Sequence, residues 1–185
     1  MRLVLATRNP HKLREFGRLL PGHELVPLPD AVDLPAETGA TFDENALTKA
    51  RAASAATGAP AIADDSGIEA AALGGAPGVR SARYAGPSAT DAENLAKLFA
   101  EVPAGSALAY QCALAYVDGE TEHLVHGRCE GAMADAPRGE RGFGYDPVFV
   151  PDGEAGTMAE LADEEKDRIS HRGRAARALL EWLAR

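Results

Sequence analysis

The sequence lacks several features that would point to particular classes of protein. It has no long apolar run, so no membrane-spanning helix is predicted, and residues 1–6 form too short an apolar start for a secretory signal. Its two cysteines, Cys112 and Cys129, are too few for a disulfide framework, which favours reduced thiols and a cytoplasmic location. Basic residues number only 19 against 28 acidic ones, for a net charge of −9. Because non-specific binding along nucleic acid depends on clustered Lys and Arg, this balance disfavours a nucleic acid polymer as partner but permits a small phosphorylated ligand.

The composition is that of an ordinary globular protein. Hydrophobic residues make up 45% of the 185 residues and charged residues 25%, enough for one domain with a substantial core. No repeat, low-complexity tract or linker divides the chain, so residues 1–185 are predicted to form a single domain. Apolar runs and helical patterns mix without strict alternation, which predicts an α/β fold with a mixed sheet flanked by helices.

Periodicity and capping residues predict the order of the elements. A strand at 2–6 precedes a helix that Asn9 caps and Pro10 begins. In the first half, the further predictions are a strand and loop at 23–39, a helix from Thr41 to about 58, a strand reaching Asp64 and a turn at 74–78. In the second half, they are a capped helix at 90–101, strands at 107–117 and 123–134 joined around Asp118-Gly119, a glycine-rich loop at 138–147, a short strand at 148–150 and a helix from Ser170.

The stretch Ala-Ile-Ala-Asp-Asp-Ser-Gly at 61–67 is the most informative part of the chain. An apolar run leads into two adjacent acids, Asp64 and Asp65, which point to opposite faces if the segment is extended. Paired acids at a strand end suit a divalent metal or a positioned base. The alternative is an Asp-rich turn, because Asp, Ser and Gly are common turn residues.

The turn between the first strand and the first helix is a candidate phosphate site. A helix N-terminus presents unpaired N–H groups and the positive end of the helix dipole. Thr7 and Asn9 can donate hydrogen bonds there, and Lys12 adds a positive charge. The glycines of a Walker A loop are missing, so this is a different motif. A plain helix cap with a surface lysine is the alternative.

Glu44 follows Thr41 at the spacing of a capping box, in which the glutamate carboxylate bonds back to the N-cap amide. That role explains Glu44 by itself. A metal-binding role would require Glu44 to approach Asp65 in space.

Two later segments suit the recognition of a base. In the loop 141–147, glycines on both sides of Phe143 would let its ring stack on a base, although core packing of Phe143 and Tyr145 is the alternative. At the last helix, His171 and Arg172 place cations in the first turn, where they oppose the dipole. An anionic or carbonyl-bearing ligand would compensate that cost. The alternative is a solvated basic end that pairs with Asp163, Glu164, Glu165 or Asp167.

Together these segments resemble the inosine triphosphate pyrophosphatase family of non-standard purine NTP pyrophosphatases. The similarity covers nearly the whole chain in order. It is carried by Leu5-Ala6-Thr7-Arg8-Asn9 with Lys12, Thr41-Phe42 with Glu44-Asn45-Ala46 and Lys49-Ala50, Ala63-Asp64-Asp65-Ser66-Gly67, Leu73 to Gly78 with Ser81-Ala82-Arg83-Tyr84, Gly142 to Pro147, and Glu165-Lys166 with Ile169 to Gly173.

The resemblance implies a two-lobed α/β fold around a long mixed sheet, with the active cleft between the lobes, and a homodimer. It implies Mg²⁺-dependent hydrolysis of ITP, dITP and XTP to the monophosphate and pyrophosphate. Asp65 is then the base and a metal ligand, with Glu44 as a second metal-site acid. The implied substrate-binding residues are Thr7, Arg8, Asn9, Lys12, Ser66, Phe143, Gly144, Tyr145, Asp146, Lys166, His171 and Arg172.

Two departures and two rivals accompany this hypothesis. Many members of the family have glycine where this chain has Arg8 and Arg141, and either arginine would add a phosphate contact or project into water. One rival is a Maf-like pyrophosphatase that favours other bases. The other is a nucleotide-binding sensor without turnover, against which the retained acids Glu44, Asp64 and Asp65 count.

Overall fold

A six-stranded sheet and five α-helices make up the computed structural model, which describes residues 1–185. The strands are β1 (Arg2–Leu5), β2 (Glu24–Pro27), β3 (Ala61–Ala70), β4 (Ala107–Asp118), β5 (Thr121–Met133) and β6 (Phe149–Pro151). The helices are α1 (Pro10–Leu19), α2 (Phe42–Thr57), α3 (Asp91–Glu101), α4 (Asp163–Ile169) and α5 (His171–Leu183). Short 3₁₀ helices occupy Ala71–Leu73, Gly78–Arg83 and Asp146–Val148.

The sheet is mixed, with the strand order β2-β1-β3-β4-β5-β6. β1 pairs in parallel with both β2 and β3, whereas β5 and β6 pair antiparallel. The prediction of an α/β fold with a mixed sheet flanked by helices is therefore confirmed.

The chain forms two compact units rather than one evenly packed body. The first unit comprises Met1–Asp65, Cys112–Gly127 and Arg172–Arg185, and the second comprises Ser66–Gln111 and Arg128–His171. The chain passes from one unit to the other within β3, β4 and β5.

In the first unit, alternate residues of β1 and β3 belong to two different apolar clusters, because successive side chains of a strand point to opposite faces. Leu3, Leu5 and Ile62 pack with Phe16 of α1 and with Leu179 of α5. On the other face lie Val4, Ala6, Ala61 and Ala63, which pack with the alanine stripe of α2 at Ala46, Ala50 and Ala53. Helices thus cover both faces of β1 and of the beginning of β3, which explains why Leu3 to Leu5 and Ala61 to Ala63 are continuously apolar.

The second unit has one apolar core. Its fully buried members come from several elements and include Ile68, Leu98, Leu108, Phe149 and Met158. Leu98 contributes the buried side of α3, whose N-terminus has the predicted cap: the Thr90 hydroxyl accepts from the Glu93 N–H at 3.2 Å, and the Glu93 carboxylate accepts from the Thr90 N–H at 2.7 Å.

The prediction for the end of the third strand is wrong. β3 does not stop at the paired acids but continues through Asp65, Ser66 and Gly67 to Ala70, so the alternative of an Asp-rich turn is also excluded. Gly67 serves packing rather than turning, because a Cβ there would lie 2.4 Å from the Ser81 Oγ.

Helix α4 was not predicted. Its sequence, Asp-Glu-Glu-Lys-Asp-Arg-Ile, has too few apolar residues to show a helical period. Acids in its first turn and basic residues in its last turn match the helix dipole, and the Glu165 carboxylate accepts from the N–H of Ala162 at 2.9 Å. Elsewhere the predicted elements agree with the structure to within two residues.

None of the helices combines the length and the apolar character needed to cross a bilayer. Cys112 and Cys129 are both free and buried.

Candidate active site

The two adjacent acids of β3 point to opposite faces of the strand, as extended geometry requires. Asp64 lies two residues after Ile62 and shares its face, which α1 and α5 cover. Asp65 shares the face of Ala63, which α2 covers. Both acids are buried, with exposures of 1% and 5%. A pair of neighbouring carboxylates is thus divided between two separate polar environments.

Asp64 is surrounded by cations from three elements. Its carboxylate lies 3.0 Å from the Lys12 Nζ of α1 and 3.3 Å from the Arg172 Nε of α5. Its backbone carbonyl accepts a hydrogen bond of 2.8 Å from Lys49 on α2. Burial raises the pKa of the Asp64 carboxyl, but the charges of Lys12, Arg172 and Lys49 outweigh burial and hold the pKa below its ordinary value. Asp64 is therefore a fixed negative charge at neutral pH.

Arg172 is buried at the first turn of α5 and binds two acids. Besides Asp64, its Nη1 lies 3.1 Å from the Glu15 Oε2, and Glu15 is itself buried on α1. These contacts offset the unfavourable position of a cation at a helix N-terminus. The predicted alternative to ligand binding, a solvated basic end paired with acids of 163–167, does not describe Arg172, which is buried and binds acids of α1 and β3.

Asp65 has a different environment. Its Oδ2 accepts a hydrogen bond of 2.8 Å from the Asn45 side chain, and its Oδ1 lies 3.9 Å from the Lys49 Nζ. Burial raises the pKa of the Asp65 carboxyl, Glu37 adds to that effect, and the net shift is upward although Lys49 and Asn45 oppose it. A carboxylate with a raised pKa is a stronger proton acceptor once ionised, which suits a general base.

Lys49 connects these acids. Its ammonium group is buried and forms a short ion pair with Glu37 as well as the contacts with Asp64 and Asp65. Burial lowers the pKa of Lys49, but the three acids together raise it, so the ammonium stays charged. Glu37 and Asp65 therefore share one cation on the α2 face of the first unit.

Glu44 caps α2. Its N–H donates to the Thr41 Oγ1 at 3.2 Å, and its carboxylate accepts from the Ala40 N–H at 2.7 Å, one residue before the N-cap. The contact with Asp65 is made by the next residue, Asn45. The predicted cap by Thr41 is confirmed, but the Glu44 carboxylate binds the Ala40 N–H instead of the N-cap amide, and the metal role of Glu44 stays a prediction.

The turn before α1 is held by its own polar groups. The Asn9 N–H donates to the Thr7 Oγ1 at 3.1 Å, and the Asn9 Oδ1 accepts from the N–H groups of His11 and Lys12 at 2.8 and 3.4 Å. The predicted cap is therefore confirmed. Arg8 turns away from this arrangement, and its guanidinium donates to backbone carbonyls between residues 28 and 32.

The second unit holds a separate polar cluster around Asp146. The Lys166 Nζ lies 2.7 Å from the Asp146 Oδ2, and both side chains are about 5% exposed. The same oxygen accepts from the Phe143 N–H at 3.0 Å, while the Asp146 Oδ1 accepts from the Tyr110 hydroxyl at 3.1 Å. Gly142 has φ of 73°, and a Cβ there would lie 2.0 Å from the Asp146 Oδ2, so this loop requires glycine.

The two rings of this loop have different surroundings. Tyr145 is buried in the apolar core, and its hydroxyl donates to the Ser81 carbonyl at 2.7 Å. Phe143 is only half-buried, and the Lys166 Nζ lies 5.4 Å from the centre of its ring. Packing in the core therefore explains Tyr145, whereas the half-buried ring of Phe143 suits stacking on a base.

The remaining predicted residues of the second unit are His171, Ser66 and Gly144. His171 is buried and stacks on the Tyr110 ring at 4.5 Å with an angle of 9°. Ser66 is half-buried on β3. The Gly144 N–H donates to the Asp91 Oδ2 at 3.1 Å.

The acids on the α2 face, Asp65 and Glu37, offer carboxylate oxygens, which are the ligand atoms that a hard divalent cation prefers. No group of three or more His, Cys, Asp or Glu residues is arranged to hold a metal. Mg²⁺, however, is usually bound through one or two carboxylates, with phosphate oxygens and waters completing its shell. Asp65 and Glu37, which share Lys49, supply such a pair of carboxylates.

Sequence reasoning missed three residues of this cluster: Glu37, Asn45 and Lys49. Asn45 and Lys49 directly precede Ala46 and Ala50 of the alanine stripe and are four residues apart, which places them on one helix face beside it, and this signal was available. Glu37 lies in an irregular connection, where no periodicity marks it.

The chain matches the Ham1 family over residues 3–182. It is 54% identical to a protein of Symbiobacterium thermophilum and 51% identical to one of Geobacillus kaustophilus, each called dITP/XTP pyrophosphatase; these matches cover 98% and 97% of this chain and 94% and 92% of the relatives. The structure of a HAM1 protein from Coxiella burnetii superposes with a TM-score of 0.89 at 42% identity, covering 100% of this chain and 98% of the other.

Proposed function

This chain belongs to the Ham1 family, and we infer from that membership that it is a dITP/XTP pyrophosphatase. It hydrolyses deaminated purine nucleoside triphosphates, namely ITP, dITP and XTP, to the monophosphate and pyrophosphate. This reaction removes these nucleotides from the pool.

One observation of the structure carries the assignment of residues. The neighbouring acids of β3 are divided into a carboxylate with a lowered pKa, Asp64, and one with a raised pKa, Asp65. Pairs of carboxyl groups whose pKa values are pushed apart by their environments are characteristic of sites that separate a structural charge from a proton acceptor. This division supports Asp65 as the base and Asp64 as the group that holds the cations.

In the proposed reaction, the turn before α1 binds the triphosphate through Thr7, Asn9 and Lys12. Asp65 orients a water molecule and takes its proton as the water oxygen attacks the α-phosphorus. The bond from the α-phosphorus to the bridging oxygen then breaks, and pyrophosphate leaves with that oxygen. Positioning and charge neutralisation supply most of the catalysis in phosphoryl transfer, and Lys12, fixed by Asp64 at 3.0 Å, supports both.

We propose that Mg²⁺ is the cofactor and that Asp65 holds it. When bound, Mg²⁺ would neutralise phosphate oxygens and orient the triphosphate. Glu44 is the second acid expected from the family resemblance, but the shared contacts with Lys49 favour Glu37 in that role.

For the base, we propose that Phe143 stacks on the purine and that Asp146, Lys166 and His171 shape its pocket, with Gly144, Tyr145 and Ser66 in supporting positions. Arg172 only donates hydrogen bonds, so it suits the 6-keto oxygen of hypoxanthine or xanthine and opposes the 6-amino group of adenine. A site left with an unpaired buried donor rejects the wrong substrate strongly.

The expected cleft between the lobes, the homodimer, the single-domain organisation and the cytoplasmic location stay predictions. Sedimentation of the purified chain would test the dimer.

Pyrophosphate release from ITP, XTP, GTP and ATP, measured with Mg²⁺ and with EDTA, tests the proposal. We expect release from ITP and XTP, little from GTP and ATP, and loss of activity with EDTA. The Asp65→Asn variant should bind ITP and fail to turn it over. Preference for modified pyrimidine nucleotides would favour the Maf-like alternative, and binding without release by the unmodified chain would favour a sensor.

A further inference from the structure

The Arg8 side chain donates hydrogen bonds to several backbone carbonyls of one loop. Its Nη1 donates to the Leu28 oxygen at 2.8 Å, and its Nη2 donates to the oxygens of Pro29 and Val32, both at 2.8 Å. The backbone oxygen of Asp30 also lies 3.4 Å from Nη2. A guanidinium presents several donors in a planar fork, which lets a single side chain bind several acceptors at once.

The sheet explains why Arg8 and this loop are neighbours. β1 and β2 are parallel, with Leu5 opposite Pro27, so the segments that follow the two strands leave the same edge of the sheet. One segment is the turn 7–9 and the other is the connection 28–41, which has no helix or strand of its own. Within the connection, the Pro29 carbonyl accepts from the Val32 N–H and the Ala36 carbonyl from the Thr38 N–H, both at 3.0 Å, and Arg8 adds donors from outside it.

The connection 28–41 is also held farther along the chain. Glu37 forms its ion pair with Lys49, and the N–H groups of Gly39 and Ala40 donate to side chains of α2 at 2.8 and 2.7 Å. Arg8 supplies the corresponding anchor at the beginning of the connection. Without it, the chain between β2 and Glu37 would lose the side-chain donor that binds its carbonyls.

We propose that Arg8 is a positioning residue, which holds the connection 28–41 against the turn 7–12 and so places Glu37 beside Lys49 and Asp65. The proposal rests on the proposed function for its catalytic consequence. It replaces the expectation that Arg8 touches the triphosphate or projects into water. A guanidinium committed to three carbonyls would have to give up those bonds to reach a phosphate group.

Because the Arg8 side chain is partly exposed, its anchoring depends on the planar set of guanidinium donors and not on its charge alone. The Arg8 side chain is 46% exposed, so water competes for each bond and the strength of the anchor lies in several bonds made together. A lysine at this position would keep the charge but offer one nitrogen instead of a fork. Arg8→Lys therefore separates anchoring from simple attraction of the substrate phosphates.

The first test is hydrogen exchange of the substrate-free protein. We expect Arg8→Ala and Arg8→Lys both to speed exchange of amides in the connection 28–41, by about tenfold or more, since loss of hydrogen bonds to a charged group raises the population of the open loop. The control is Arg14→Ala, which removes an equally charged, exposed side chain of α1 that contacts only His11 among the hydrogen bonds of this turn. It should leave that exchange unchanged.

The second test is steady-state hydrolysis of ITP. If Arg8 positions Glu37, both Arg8 variants should lower kcat, and guanidinium at low millimolar concentration should partly restore kcat and loop protection in Arg8→Ala.

Unchanged exchange of 28–41 in both variants would overturn the proposal. So would a rise in KM alone that Arg8→Lys repairs, because that pattern belongs to a direct phosphate contact. The exchange result needs no substrate, so it decides the anchoring role even if the chain released no pyrophosphate from any nucleotide.

Discussion

Replacing each of the neighbouring acids of β3 by asparagine should affect stability unequally, since Asp64→Asn should destabilise the protein and Asp65→Asn should not. In Asp64→Asn the volume is kept, but the carboxylate that Lys12 and Arg172 contact at 3.0 and 3.3 Å is lost. Both cations stay largely buried, with side-chain exposures of 14% and 8%, and they then repel each other without the intervening charge. Removing one partner of a buried ion pair leaves the other charge without compensation.

The expected size follows from that burial. Breaking a buried pair costs about 3–5 kcal/mol, and the lower end applies here because Arg172 keeps Glu15 and Lys12 has some access to water. For 185 residues with an unfolding entropy of about 2.1 cal/mol/K per residue, ~3 kcal/mol corresponds to a fall in Tm of about 8 °C.

Asp65→Asn should leave Tm unchanged or raise it. Burial raises the pKa of Asp65, so at neutral pH its charge opposes folding, and that cost is relieved as the pH falls through the raised pKa. The neutral variant escapes the cost at every pH. A catalytic base that lowers the stability of the folded protein is expected, because catalytic positions are often not optimal for stability.

The assay is thermal unfolding of both variants and of Asp152→Asn, which removes one exposed acid and should match the wild type. Because the pKa of Asp64 is lowered, its contribution is complete above the ordinary carboxyl pKa of about 4 and is lost as the pH falls from there toward the folded value. The difference in Tm between the wild type and Asp64→Asn should thus be constant from pH 7 to about 5 and become smaller below about pH 4. Equal destabilisation by the two asparagine variants would refute the division of roles.

Three further predictions concern single residues of the candidate site. Arg172→Lys should reduce the preference for ITP over ATP in kcat/KM by about tenfold or more, measured with both substrates, because the planar donors are lost; an unchanged ratio would move base recognition elsewhere. Glu37→Gln should raise the Mg²⁺ concentration needed for half-maximal activity more than Glu44→Gln does, since Glu37 shares Lys49 with Asp65; the reverse order would restore the metal role to Glu44. In the protein without Mg²⁺, the Asp65 carboxyl should titrate above the ordinary pKa of an aspartate when followed by NMR, because burial and Glu37 raise its pKa; titration at or below that value would remove the raised pKa as support for Asp65 as the base.

Local patterns in the sequence were enough for most of the fold. Asn9 with Pro10 and Thr90 with Glu93 are caps whose partners lie within a few residues, so their spacing alone predicts the helix starts. The paired acids were recognised for the same reason. Their place within the strand was not predicted, because Asp, Ser and Gly favour turns locally, whereas pairing with β1 and β4 and burial keep β3 extended.

The partners within the site depend on contacts between distant parts of the chain. Arg172 binds Glu15 and Asp64, which are far from it in sequence, and neither contact follows from periodicity. Arg8 reaches carbonyls that any residue would present, so no side-chain type marks them. Only its contact with Lys49 identifies Glu37 as a residue of the candidate site.

The most direct test of the account is hydrolysis of ITP in water enriched in ¹⁸O, with both products analysed by mass spectrometry. Attack at the α-phosphorus by a water that Asp65 orients predicts one labelled oxygen in the monophosphate and none in pyrophosphate. Label in pyrophosphate, or release of single phosphate groups, would contradict the proposed reaction.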